Sequence, residues 1–106
     1  MVTVSEYVID FIAKQGIKYV FYISGGGNRY LAQVLADHPQ LQYVCNHHEQ
    51  ALAMAVEGYA RIHGFGVGLV TTGPGVTNTI TGVTGAWMDS TPCMFISGQV
   101  NSAQTL

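Results

Sequence analysis

Charged side chains are scarce. Lysine and arginine together number four and aspartate and glutamate six, 9% of the chain, against roughly 25% in an ordinary soluble domain. Four cations, Lys14, Lys18, Arg29 and Arg61, cannot build the phosphate-neutralising stripe that nucleic acid requires, so that partner is excluded. The net charge of −2 sets up no strong field of either sign. A small domain with so few charges cannot cover its surface with polar groups, and part of that surface is expected to lie against another domain or subunit. Long apolar runs are missing too. Gly, Thr, Asn or a charge interrupts each stretch before the roughly 18 residues of a membrane span, and no basic region followed by an apolar stretch opens the chain. Cysteine occurs only as Cys45 and Cys93, far apart and in apolar contexts. That excludes a disulfide framework and predicts reduced, buried thiols in a cytoplasmic setting.

Hydrophobic residues make up 48% of the 106 positions, enough for one small domain with a packed core. Thr3-Val4-Ser5-Glu6 has the form of a capping box, with Val4, Val8, Phe11 and Ile12 on one face of the helix it opens and Gly16 as its stop. Short apolar runs at 19–23, 41–45, 67–71 and 93–96 are too short for helices and rich in strand formers. Helical segments at 30–36, 49–62 and 76–88 separate them. Because the strand runs are continuously apolar, both faces of the sheet should be covered. The expected fold is an α/β doubly wound parallel sheet with helices on both faces, four strands of a domain that is incomplete over residues 1–106. No covering helix follows the fourth strand.

In open parallel sheets ligands bind beyond the carboxyl ends of the strands. Residues 24–28, 46–49, 72–78 and 97–99 fall there, which brings Glu49 to the rim at a helix start. The helix dipole favours a carboxylate in that place by about 0.3–1 kcal/mol. Position alone leaves open whether Glu49 merely caps its helix. Gly25-Gly26-Gly27 follows a strand and opens a helix, yet it lacks the Lys-Ser/Thr of a P-loop and does not fit G-x-G-x-x-G. His47-His48-Glu49 lacks the i, i+4 spacing of a zinc helix, so no protein-ligated metal is expected. Gly73 and Gly75 allow a ligand close to the backbone, with Pro74 suited to a first helical turn. Gly82 and Gly85, at i, i+3, each cost about 1 kcal/mol of helix propensity relative to Ala. They invite another helix to pack closely, and the 76–88 helix is expected at a subunit interface.

Taken together, His48-Glu49-Gln50-Ala51, Gly58-Tyr59-Ala60-Arg61, Thr72-Gly73-Pro74-Gly75-x-x-Asn78, Thr81-Gly82, Asp89-Ser90-x-Pro92 and Gly98-Gln99-Val100 resemble the N-terminal, pyrimidine-binding domain of thiamine-diphosphate-dependent enzymes of the acetolactate synthase group. The resemblance spans essentially the whole chain. It implies an enzyme that decarboxylates a 2-keto acid such as pyruvate and transfers the resulting aldehyde unit. Glu49 would be the catalytic residue, hydrogen-bonded to N1′ of the cofactor's aminopyrimidine and promoting removal of the thiazolium C2 proton. Ser24, Gly25, Gly26, Gly27, Pro74 and Asn78 would line the pyrimidine pocket, with Gln99 and Asn28 on the substrate side. The family's diphosphate and Mg²⁺ motif belongs to a separate C-terminal domain and does not occur here. A second subunit or domain would therefore complete the active site in a homo-oligomer, and this chain alone would be inactive. An FAD requirement is left open. Asn46, Ser24 and Gly27-Asn28 depart from the family's usual residues near the substrate entrance, which leaves the substrate open. The alternative is a non-catalytic interaction or regulatory module on the same scaffold, against which the retention of Glu49 argues.

Overall fold

The computed structural model describes residues 1–105. Thr3 caps the first helix, α1 (Val4–Lys14), reciprocally: its hydroxyl accepts from the Glu6 N–H at 3.2 Å, while the Glu6 carboxylate accepts from the Thr3 N–H at 2.6 Å. The buried face of α1 is rotated from the expected one. Ile9 and Ile12 enter the core with Val8 and Ala13 beside them, whereas Val4 and Phe11 are 81% and 45% exposed. Apolar residues occupy more than one stripe of this helix, and packing against the next helix selects the stripe centred on Ile9 and Ile12.

Strand β1 (Tyr19–Tyr22) leads through a 3₁₀ turn at Gly26–Asn28 into α2 (Arg29–Asp37), and β2 (Gln42–Cys45) into α3 (Glu49–His63). Then β3 (Gly66–Val70), the short α4 (Pro74–Thr77), α5 (Ile80–Met88) and β4 (Cys93–Ser97) complete the domain, with a last 3₁₀ turn at Ser102–Gln104. The four strands are all parallel in the order β2-β1-β3-β4, as the continuous apolar runs predict. Helices α1 and α2 cover one face over Ile9, Ile12, Val20, Leu35, Val67 and Leu69. Helix α3 covers the other over Phe21, Leu52, Val56, Val70 and Phe95. Strand β3 is buried at every position: it lies between β1 and β4, with helices over both faces of the sheet. Among the described residues no helix is long and apolar enough to cross a membrane.

The segment expected as one helix over 76–88 is two. The Val76 carbonyl, which a continuous helix would offer to Ile80, accepts instead from the Thr79 N–H at 2.9 Å and the Thr79 hydroxyl at 2.6 Å. That double use tightens the turn and ends α4. Helix α5 then packs on α3 rather than on the sheet. A Cβ on Gly82 would stand 2.4 Å from the Ala53 Cβ, so the close approach that the glycines invite is made within this chain. The outward side of α5 carries Ile80, Val83, Trp87 and Met88, with Trp87 84% exposed. The thiols differ from expectation as well. Cys45 is exposed because β2 is an edge strand, and Cys93 is only half-buried, which still suffices to push its thiol pKa up.

Candidate active site

The strand order reverses direction between β1 and β3, and the crevice at such a switch point is where an open sheet takes its ligand. Its floor is built around Thr71, the first residue beyond β3. The Thr71 hydroxyl accepts from the Gly27 N–H at 3.1 Å. A Cβ on Gly25 would stand 2.4 Å from the Thr71 Cβ, and one on Gly75 2.7 Å from its Cγ2. The loop after β4 closes in from the other side, where a Cβ on Gly98 would fall 2.1 Å from the Gly27 carbonyl oxygen. Glycine is thus required at these positions by contact between loops, not by backbone angle.

Asn28 staples the first of these loops. Its amide oxygen accepts from the Gly25 N–H at 3.0 Å and its amide nitrogen donates to the Ile23 carbonyl at 2.9 Å. The side chain expected on the substrate side is 1% exposed, and its contacts lie within the loop. The 3₁₀ turn at 26–28 directs it inward.

Glu49 is the first residue of α3, whose cap is His48 with Nδ1 accepting from the Gln50 N–H at 3.1 Å. The Asn78 side-chain amide donates to Glu49 Oε2 at 3.0 Å, and Oε1 lies over Gly75, 3.9 Å from where a Cβ there would be. The Asn78 amide holds the Glu49 carboxyl below the usual carboxylate range, helped by the residue's own N–H and by His48, while partial burial opposes them. Glu49 is therefore ionised at neutral pH. It is half-buried, so within this chain it stands in a partly solvated setting rather than a water-free one.

The structure brings Glu49, Asn78 and Gly75 together and joins Gly25 and Gly27 to them through Thr71. Pro74 opens α4 and is exposed. Gly26, Gly27, Thr72 and Gln99 border a cavity of about 340 Å³ on the β4 side. Ser24 and Gly25 border a separate cavity of about 730 Å³ with Tyr22, Tyr43 and Cys45. Thr71 escapes a reading of the sequence because it ends a strand-like run and belongs to no loop motif. Asn46 carries a buried amide oxygen without a hydrogen-bond partner in the described structure, at the turn leading to Glu49. An aminopyrimidine fits what is present: Glu49 offers a carboxylate acceptor at the edge of the crevice, and the backbone at Gly26 and Gly73 has open space where a side chain would otherwise stand.

A parallel α/β domain with a glycine-lined switch-point crevice and an ionised carboxylate at a helix start defines a class, the cofactor-binding domains of open-sheet enzymes. Residues 2–106 match the family described as thiamine pyrophosphate enzyme, N-terminal TPP binding domain, and the chain belongs to that family. It is 43% identical over 100 residues to an acetolactate synthase large subunit of Buchnera aphidicola (Schizaphis graminum), covering 93% of this chain and 18% of the relative. It is 42% identical over 101 residues to the acetolactate synthase isozyme 3 large subunit of Escherichia coli K12, covering 94% and 18%. With the chloroplastic acetolactate synthase 2 of Nicotiana tabacum the identity is 38% over 97 residues, covering 91% and 15%. The chain thus spans less than a fifth of the length of these relatives.

Proposed function

We propose that this chain supplies the catalytic carboxylate and the pyrimidine pocket of an enzyme that decarboxylates a 2-keto acid such as pyruvate and transfers the aldehyde unit to an acceptor. The single observation that carries the reading is Glu49, held by Asn78 at 3.0 Å and poised over Gly75 at the switch-point crevice. Kinship with acetolactate synthases over nearly the whole chain supports it. Bound thiamine diphosphate supplies the electron sink for decarboxylation. Glu49 holds a proton at N1′ of the aminopyrimidine, and an ionised carboxylate is the form that can accept one. Asn78 fixes the Glu49 rotamer, the backbone of the Gly25–Gly27 loop and Pro74 line the pyrimidine pocket, and Gln99 faces the substrate. The diphosphate and its Mg²⁺ are bound by a domain outside this chain, in the same subunit or a second one. Closure of that domain over Glu49 excludes the water that this chain leaves in reach of it, which strengthens the charge interactions there.

The test is Glu49→Gln in the holoenzyme, a change that keeps size and packing. The rate of exchange of the cofactor C2 proton for deuterium, read by NMR in quenched samples, is expected to fall by about 10²–10⁴-fold. Exchange at the wild-type rate with cofactor bound would reduce Glu49 to a helix cap.

A further inference from the structure

We infer that Arg29 and the cavity of about 340 Å³ that it borders form a subsite for a spectator anionic group of the substrate, a carboxylate or phosphate that survives the reaction. The inference rests on the function proposed above.

Arg29 opens α2, immediately after the glycine loop, and borders that cavity with Gly26, Thr72, Gln99 and Asn101. Its guanidinium lies 4.7 Å from the centre of the Tyr30 ring and donates one hydrogen bond, to the Tyr30 hydroxyl at 2.8 Å. Among the described residues no carboxylate pairs with it, and the ion pairs belong to Arg61 and His38. The other three cations lie toward the opposite end of the sheet. Lys14 ends α1, Lys18 precedes β1, and Arg61 is in the last turn of α3, which leads into β3. Arg29 is therefore the one cation at the carboxyl edge, and the only acid in the loops of that edge is Glu49, already held by Asn78. Gln99, Asn101 and Thr72 add neutral hydrogen-bonding groups to the lining and no competing negative charge.

A guanidinium with most of its donors unused is matched to a carboxylate or phosphate. The group cannot profitably be the carboxylate that leaves. Decarboxylation disperses that charge, so an ion pair to it would favour the ground state over the transition state and slow the step. The cavity also does not include Glu49. An anion elsewhere on the donor or acceptor keeps its charge throughout and orients the substrate at no such cost.

Two substrate pairs that differ in spectator charge test this in the holoenzyme: 2-oxoglutarate against 2-oxopentanoate as donors, and glyceraldehyde 3-phosphate against glyceraldehyde as acceptors. In one pair the charged member should have a kcat/KM about tenfold to a hundredfold higher, the range for a hydrogen bond to a charged group. The first pair reports a carboxylate and the second a phosphate. Arg29→Met should bring that ratio close to one, and Arg29→Lys should restore part of it. No preference in either pair, or a preference that persists in Arg29→Met, overturns the subsite. If no 2-keto acid is turned over at all, the proposed function fails and a second measurement decides the subsite. Phenylglyoxal modification of the full-length protein, read by peptide mass spectrometry, should be slowed several-fold at Arg29 but not at Arg61 by 2-oxoglutarate or inorganic phosphate. Absence of that protection with both anions overturns it.

Discussion

At the scale of single residues, Asn78 gives Glu49 a fixed rotamer and keeps it charged to a lower pH than it would be without the amide. The pKa of Glu49 lies below the usual carboxylate range, mainly because Asn78 donates to it. A group whose folded pKa is depressed adds stability above its unfolded pKa, and that stability is lost as pH falls through the folded value. Asn78→Ala should therefore raise the Glu49 pKa toward the ordinary range and remove this contribution at neutral pH, so that the stability gap between wild type and variant narrows on acidification. Carbon-13 titration of the Glu49 carboxyl measures the first effect, and urea melts at several pH values measure the second. An unchanged pKa would mean that the amide does not hold the carboxylate. The placement of Glu49, Gly75 and Asn78 at the carboxyl edge was legible in the sequence, because each lies in a segment that directly follows a strand-like apolar run. Thr71 was not, since its contacts to Gly25 and Gly27 exist only once the loop after β1 has met the end of β3. Nor was the inward turn of Asn28, which depends on a local 3₁₀ geometry that the residue types do not announce.

At the scale of elements, the alternation of strands and helices could be read from apolar runs and capping residues, and their parallel order followed from two-sided burial. The break between α4 and α5 could not, because it hinges on whether the Thr79 hydroxyl takes the Val76 carbonyl. The rotation of α1 is of the same kind: two apolar stripes compete, and only packing against α2 decides. The contact of α5 with α3 is the tightest helix pairing, and Gly82 makes it possible. Gly82→Ala would drive a methyl group into Ala53, and overpacking of this kind costs about 1–3 kcal/mol. Loss of the Thr3 cap in Thr3→Ala should cost about 1 kcal/mol by comparison. Chemical denaturation of the two variants side by side checks both size and order; a stable Gly82→Ala would show that the helices can separate freely.

At the scale of the whole molecule, the scarcity of charge noted in the sequence has a visible counterpart in the outward side of α5. Ile80, Val83, Trp87 and Met88 form an apolar stripe on the helix whose inner side is already taken by α3. We expect this stripe to meet a second subunit or domain, so that Trp87→Glu in the full-length protein lowers the assembly state seen by sedimentation at fixed concentration. An unchanged assembly would remove the stripe from the interface. The strand order β2-β1-β3-β4 also governs time. Val20 pairs with Val67 only after all of α2, β2 and α3 has been passed over, and no strand here pairs with a sequence neighbour through a tight hairpin. Every ladder bond must wait for a long loop to close, which makes folding slower than that of a helical domain of the same size. During that wait the all-apolar β3 has neither its helices nor its neighbours, and newly made chains are most vulnerable to association through the strand that ends beside the switch-point crevice.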